Sequence, residues 1–266
     1  MFKRKNYPLT AYLFVIIMCV TGCSVFAEER EEIHEQFSLK AGTPLSVQNI
    51  NGSITISGWD NDYVDVLAVK KTKKGRDELD KVEVRMVQNG KLSIETEYLE
   101  KRSRVSVDYT IKVPDTVPVE LAKSTNGSVK LNGTTGDTYA KSTNGRIEIR
   151  EADGFIKAQT TNGNISVTET SGIKNVKTTN GSIDVSFSQF ENDVDITTTN
   201  GSIDVRFPSD LDADIELKTT NGRIKANQIQ ILVDEISKKY VRGKLGNGGN
   251  KLNIKTTNGS ISLEKM

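Results

Sequence analysis

Thr178-Thr179-Asn180-Gly181-Ser182-Ile183-Asp184-Val185 decides how this chain is read, because near-copies of it recur along the sequence. A Ser/Thr-Thr-Asn-Gly stretch also ends at Gly127, Gly145, Gly163, Gly201, Gly222 and Gly259. Its asparagines, Asn126, Asn144, Asn162, Asn180, Asn200, Asn221 and Asn258, are separated by 18, 18, 18, 20, 21 and 37 residues. The longest interval leaves room for an insertion or a degenerate repeat, and an eighth relative, Asn51-Gly52-Ser53-Ile54, stands far upstream. Self-similarity at a nearly fixed period marks a repeat architecture.

The flanks of each copy share one parity. With Asn180-Gly181 as a two-residue turn, Val176 falls opposite Val185. The same offsets match Ala122 with Leu131, Ala140 with Ile149, Ala158 with Val167, Ile196 with Val205, Leu217 with Ala226, Ile254 with Leu263 and Val47 with Ile56. Alternation of apolar and polar residues on both sides is the signature of half-buried strands, so the class is all-β. Asn-Gly is expected to supply the two positive φ values of a tight turn.

Two architectures satisfy this parity. Asn-Gly could close hairpins of an antiparallel meander folded into a sandwich, or form the corner of a β-solenoid with coils of about 18 residues. A meander requires each strand to match only its partner, whereas stacked coils reward identical residues at the same rung and allow an asparagine ladder. Recurrence of the whole motif therefore favours the solenoid. On this reading Asn258 ends the array and has a neighbour on one side only.

Residues 45–113 alternate less regularly, through Val64-Asp65-Val66, Val82-Glu83-Val84, Leu92-Ser93-Ile94 and Val105-Ser106-Val107. They are read as an N-terminal β cap on the repeats of 114–266, since the ends of arrays are atypical. Lys70 to Arg76 is a charge run read as a solvated loop, with contact to an anionic envelope polymer as the sharper option. Gln230 to Val241 and the Gly-rich Gly246-Asn247-Gly248-Gly249 read as strand and turn before the final strand pair.

Composition narrows the functions. The 266 residues carry 36 Lys+Arg and 35 Asp+Glu, so no bulk charge calls for nucleic acid. Apolar residues make up only 35%, while Gly fills 21 positions, which points to a thin core with many turns rather than a large α/β enzyme.

The N-terminus has a basic Lys3-Arg4-Lys5 and an uncharged stretch from Leu9 to Ala27, the arrangement of a secretory signal. Val20-Thr21-Gly22-Cys23 resembles the lipobox of bacterial lipoproteins, which implies a signal peptide over 1–22, a lipid on Cys23 and attachment to a membrane. Ser24 after the cysteine implies the outer membrane in a Gram-negative host. Secretion after cleavage at Ala27 and an uncleaved anchor are the alternatives. The chain has 2 cysteines, both in this segment, so no structural disulfide follows in the mature protein. Residues 23–44, rich in Glu and without apolar periodicity, are expected to be a flexible tether.

Asn51-Gly52-Ser53-Ile54-Thr55-Ile56-Ser57-Gly58-Trp59-Asp60, Ile111-Lys112-Val113-Pro114, the repeated Thr-Thr-Asn-Gly-Ser-Ile and Gly243-Lys244-Leu245-Gly246-Asn247-Gly248-Gly249 together resemble a bacterial candidate-adhesin family of unknown function built of β-repeats. The resemblance covers Leu45 to the C-terminus. It implies a solenoid-like β fold in or on the cell envelope and brings no catalytic residues.

The inventory for chemistry is short. His34 is the only histidine and is read as an exposed bystander, and Cys23 is acylated on the lipoprotein reading, which leaves no Cys/His nucleophile, zinc or haem site. Asp210, Asp212 and Asp214 alternate as calcium ligands could, but an EF-hand loop would need Gly and Glu where Ile215 and Asn221 stand. Asp184 and Asp204 occupy equivalent places in adjacent repeats, as paired carboxylates of a polysaccharide hydrolase could, yet Lys130, Glu148, Ser166, Lys225 and Ser262 fill that place elsewhere. No cofactor or metal is expected. The residues that matter are Cys23 and the turn pairs Asn51/Gly52, Asn126/Gly127, Asn144/Gly145, Asn162/Gly163, Asn180/Gly181, Asn200/Gly201, Asn221/Gly222 and Asn258/Gly259. The reading is a non-enzymatic envelope lipoprotein, an adhesin or surface scaffold, contacting the membrane through its lipid and an envelope polymer or another surface protein. An accessory of envelope-stress sensing and a β-helical polysaccharide enzyme are the alternatives.

Overall fold

The structure, a computed structural model, describes residues 28–226 and 229–266. The expected signal segment and Cys23 lie outside the described residues. The two flanks of each repeat are strands of different sheets. Gly172–Lys177, before Asn180, belongs to a sheet of 12 strands, and Ile183–Phe187, after it, to one of 11, counted over the described residues. Their partners are the equivalent strands of neighbouring repeats, running parallel: Ile183 lies between Ile165 and Ile203, and Val176 between Ala158 and Ile196. Asn-Gly is thus a corner that carries the chain from one layer to the other. A hairpin would have set the flanks side by side and antiparallel, so the fold is the β-solenoid and not the meander.

The core is the space between the two sheets. Of the sixteen apolar residues matched by parity, fifteen are buried, and Ala226, in the short strand Ile224–Ala226, is partly buried. Ala122, Ala140 and Ala158 in one sheet face Leu131, Ile149 and Val167 in the other, small against large, which fills a thin two-layer interior.

Stacking order departs from chain order at both ends. The corners run Asn51, Asn126, Asn144, Asn162, Asn180, Asn200, Asn258, Asn221. The last repeat, Lys251–Asn258 and Ile261–Lys265, slides between the Asn200 and Asn221 coils and touches both. Asn258 is therefore interior, contrary to the sequence expectation, and the coil of Asn221 is the outer one. The 37-residue interval holds a hairpin, Leu232–Ser237 with Tyr240–Leu245, whose second strand pairs antiparallel with Ala213–Asn221. At the other end, Leu92–Tyr98 and Ser106–Pro114 stack outside Leu45–Gln48 and Ile54–Trp59. Leu45–Gln48 and Ile54–Trp59 also pair with Val119–Lys123 and Val129–Asn132, so the Asn51 repeat is a full coil and pairing runs unbroken across residues 113 and 114. The capping is done by the antiparallel strands Val64–Thr72 and Val82–Gln88.

The expected tether also contains structure. Glu29–Phe37 is a strand paired antiparallel with Val64–Thr72 over nine positions. Ile33 and Phe37 pack against the core from it, while its charges keep this edge from recruiting another strand. Two apolar residues four apart on a charged edge leave no visible periodicity. The lysine run is likewise partly strand: Lys70 is 7% exposed and its Nζ lies 3.2 Å from Glu31.

The glycines are required for a different reason from that expected. Gly52 has a φ of 114° and Gly201 an extended 158°, but Gly127, Gly145, Gly163, Gly181, Gly222 and Gly259 do not have positive φ, and neither do the corner asparagines. A Cβ on Gly181 would lie 2.0 Å from the carbonyl oxygen of Gly163, and on Gly259 2.0 Å from that of Gly201. The corners of successive coils stack backbone on backbone, and only glycine fits.

Gly181→Ala and Gly259→Ala are expected to destabilise the protein by similar amounts, about 2–3 kcal/mol each, because both sit between two coils. Thermal unfolding of the two variants checks this; a clearly milder effect at Gly259 would contradict the interior placement of the last repeat. A second expectation concerns Tyr109, buried in the coil of Leu92–Tyr98 and Ser106–Pro114 at the N-terminal end with its hydroxyl 2.6 Å from Thr96, where burial raises its pKa to about 12. The folded state keeps a proton that the unfolded chain gives up near pH 10, so stability should fall between about pH 10 and 12, and Tyr109→Phe should remove that part of the loss.

Candidate functional site: the asparagine ridge

Stacked corners bring eight asparagine side chains into one row along an edge of the molecule. Asn126 Nδ2 donates to Asn51 Oδ1 at 2.8 Å, Asn144 to Asn126 at 2.9 Å, Asn162 to Asn144 at 2.7 Å and Asn180 to Asn162 at 2.8 Å. Asn200 donates to Asn180 at 2.8 Å, Asn258 to Asn200 at 2.7 Å and Asn221 to Asn258 at 2.8 Å. All amides point the same way. The series ends on Asn51 Nδ2, which donates to Tyr98 Oη at 2.9 Å, and that hydroxyl donates to the Val105 carbonyl. Aligned amide dipoles polarise one another, so each bond strengthens its neighbours.

Beneath the row lies a second one that the sequence reading missed. The hydroxyl two residues before the corner asparagine donates to the glycine carbonyl of the adjacent coil in every copy except that of Asn51, where Asn49 stands instead: Ser142 to Gly127, Thr160 to Gly145, Thr178 to Gly163 and Thr198 to Gly181, all at 2.9–3.0 Å. Thr256 to Gly201 and Thr219 to Gly259 follow the same rule across the rearranged end. These hydroxyl residues are buried. Their presence in all seven Ser/Thr-Thr-Asn-Gly copies was the available signal, because a polar residue at an otherwise inward position needs a partner. On the far side of the corner a third row forms, in which Ser182 Oγ accepts the Ser202 amide and Ser202 Oγ the Ser260 amide.

The exposed surface that results is regular and mostly uncharged, with the exposed Arg146 and Arg223 directly after two of the corner glycines. Each of the six asparagines between Asn51 and Asn221 uses one N–H and one oxygen lone pair within the row, which leaves one of each for solvent or a ligand. Thr161, Thr179, Thr199, Thr220 and Thr257 stand exposed beside it, repeating at the strand spacing of about 4.8 Å. Its chemistry is hydrogen bonding without proton transfer.

The other sequence candidates are placed apart from this edge. Asp184 and Asp204 are register neighbours on the outer face of the 11-stranded sheet, and Arg206 holds Asp184 in an ion pair at 2.6 Å. Burial, then the charges of Asp184 and Glu264, push the Asp204 carboxyl up. Asp212 accepts the backbone and side-chain amides of Asn247, which hold its carboxyl below the usual range and fasten the glycine-rich turn. Asp210, Asp212 and Asp214 do not converge, and among the described residues no group of three or more His, Cys, Asp or Glu is arranged to hold a metal. His34 is not unattached: its Nε2 lies 2.7 Å from Asp65 Oδ1, which Gln36 also contacts, so it joins the first strand to its neighbour.

Residues 49–264 match the family model described as Toastrack DUF4097, and the chain belongs to that family. No curated protein matches it. Among solved structures it is similar to a candidate cell adhesion protein from Clostridium sporogenes, at 15% identity over 89% of this chain and 100% of that one, with a TM-score of 0.36. It is also similar to a candidate adhesin from Bacteroides fragilis, at 13% identity over 88% and 97% of the two chains, with a TM-score of 0.43.

Asn162→Asp tests the row. A carboxylate cannot donate to Asn144 and repels its oxygen, so a loss of about 1–3 kcal/mol is expected at neutral pH. Protonation restores the donor to Asn144, so the fold raises that carboxyl's pKa above the unfolded value and stability should recover as pH falls through it. Equal destabilisation of Asn162→Asp at pH 4 and pH 8, relative to the parent at each pH, would contradict the row.

Proposed function

We propose that this member of the Toastrack DUF4097 family is a non-enzymatic protein of the bacterial cell envelope, which presents the asparagine ridge as a rigid surface for adhesion or scaffolding. The observation that carries the reading is the continuous row of eight asparagines. A surface already cross-bonded from coil to coil loses little conformational entropy when it binds, and it offers evenly spaced neutral donors and acceptors. The ligand class that fits such a surface is a hydroxyl-rich polymer of the envelope or of a host surface, which can both donate to and accept from it. The outer-face carboxylates fit this reading better than a hydrolytic one, since Asp184 is committed to Arg206.

Anchoring through a lipid on Cys23 is part of the proposal. It rests on the lipobox resemblance and on the short distance in sequence from Cys23 to the first strand at Glu29. Such a spacing would hold the N-terminal end of the solenoid close to the membrane and direct its long edge outward.

Two experiments test these statements. Cys23→Ser is expected to abolish incorporation of labelled fatty acid and leave the protein unprocessed or released; retained acylation would refute the anchor. Changing Thr161, Thr179 and Thr199 together to Lys is expected to reduce binding of the protein to isolated envelope polysaccharide severalfold with little change in melting temperature. Unchanged binding would remove the ridge from the function.

A further inference from the structure

The C-terminal end of the stack differs from every other part of the molecule. There the 12-stranded sheet continues past the outer coil by two strands, Tyr240–Leu245 and then Leu232–Ser237, while the 11-stranded sheet stops at Ile224–Ala226. Leu232–Ser237 is the edge of its sheet, and all six of its residues are exposed. Leu232 and Ile236 are each 70% exposed and Val233 is 40% exposed, whereas among the other strands of the described residues Val87 is the one large aliphatic residue so exposed. Ile236 pairs with Val241, which is buried, so Ile236 lies on the core-facing side of the sheet with nothing beneath it.

A free edge with aliphatic side chains on it is a template for another strand. The sequence of the edge names the partner. Along Leu232-Val233-Asp234-Glu235-Ile236-Ser237-Lys238-Lys239 the acids precede Ile236 and the lysines follow it. Laid antiparallel on itself about Ile236, the segment sets Ile236 against Ile236 and brings the acidic Asp234-Glu235 half of each copy alongside the Lys238-Lys239 turn that ends the strand in the other. Centring the pairing on Asp234 or Glu235 instead would set like charges together, which is destabilising. Asp234 is the unpaired residue of the irregularity between Val233 and Glu235, so the regular part of the edge is Glu235, Ile236 and Ser237, about this centre.

We propose that the edge strand Leu232–Ser237 pairs antiparallel with the same strand of a second copy, joining the two 12-stranded sheets into one and forming a two-fold symmetric dimer. The two-fold axis passes at Ile236, and the aliphatic patch is covered by its own mate. Each copy satisfies the other's free backbone groups, and the acidic and basic halves of the segment compensate across the axis.

The test uses the full-length chain in a mild detergent, followed by sedimentation velocity over a range of concentrations. A reversible monomer–dimer equilibrium is expected, and Ile236→Lys should weaken it at least tenfold while leaving the monomer's melting temperature unchanged, because the side chain is exposed in one copy. Val87→Lys, on the edge strand at the opposite end, should leave the dimer intact. Asp234→Lys and Lys238→Asp should each weaken association, and the double exchange should restore it. Ile236→Cys should yield a disulfide-linked dimer under mild oxidation. A monomer at all concentrations, or a dimer indifferent to Ile236→Lys, would overturn the proposal. A dimer weakened by Ile236→Lys but not rescued by the double charge exchange would overturn the stated register.

Discussion

The contact on which the rest of this structure depends is the approach of one corner glycine to the carbonyl oxygen of the glycine one coil away. At Gly127 and Gly222 an added Cβ would come within 1.8 Å of that oxygen, and at the other stacked corners within about 2.2 Å. With glycine there, successive corners can descend at the spacing of β-strands, about 4.8 Å. That spacing lets the buried Ser or Thr hydroxyl reach the same carbonyl and lets each asparagine amide reach the next. Removing the close approach would separate all three sets of bonds at once. The repetition of the motif is therefore a requirement of contacts between coils, each of which must offer to its neighbour what it accepts from the other side.

A consequence is that coils are interchangeable at their faces. The Asn258 coil can sit between those of Asn200 and Asn221 because it makes with either the bonds that any two neighbours make. Chain order is then set by what the intervening segment does. Between Asn221 and Asn258 that segment forms the hairpin of Leu232–Ser237 and Tyr240–Leu245, which occupies the outer edge of Ala213–Asn221 and leaves only the inner edge for the last repeat. The same logic holds at the other end, where Val64–Thr72 and Val82–Gln88 lie outside the coil that the chain builds after them. Stability in such an array comes from neighbour contacts, and those contacts are long-range in sequence at the two ends only.

This explains which features could be read from the sequence. The parity of Val176 with Val185 and its seven analogues is a local property of two strands around a turn, and it gave the buried set correctly. The choice of solenoid also followed, because identity at Asn and Gly has meaning only if equivalent positions meet. The reason for glycine did not follow. Read locally, Asn-Gly signals a turn with positive φ, whereas its actual constraint lies across to Gly163 or Gly201 in another coil. Nor was Glu29–Phe37 visible as a strand, since an edge strand buries little and Ile33 and Phe37 are too few to make a pattern. The ridge itself was half legible. The asparagines were recognised, but the hydroxyl row beneath them and the Tyr98 terminus belong to the stacked structure and to a residue outside the repeats.

The two ends of the solenoid are managed by different means, and the difference bears on how copies can meet. At the N-terminal end Glu29–Phe37 carries Glu29, Arg30, Glu31, Glu32 and Glu35 along the free edge, a density of charge that opposes strand addition. At the C-terminal end the edge carries Leu232, Val233 and Ile236 with its charges divided into an acidic and a basic half. If both ends were apolar, copies would stack head to tail, and a heterologous contact of that kind does not close. The other N-terminal edge, Val82–Gln88, exposes Val87 alone among its aliphatic residues and flanks it with Arg85 and Gln88, so a contact between the two C-terminal ends, which closes at two copies, is the one that the apolar residues favour. The ridge of asparagines runs the length of each copy at the corner of the sheets, away from the free strand edge, so pairing of the ends would lengthen the polar surface without covering it.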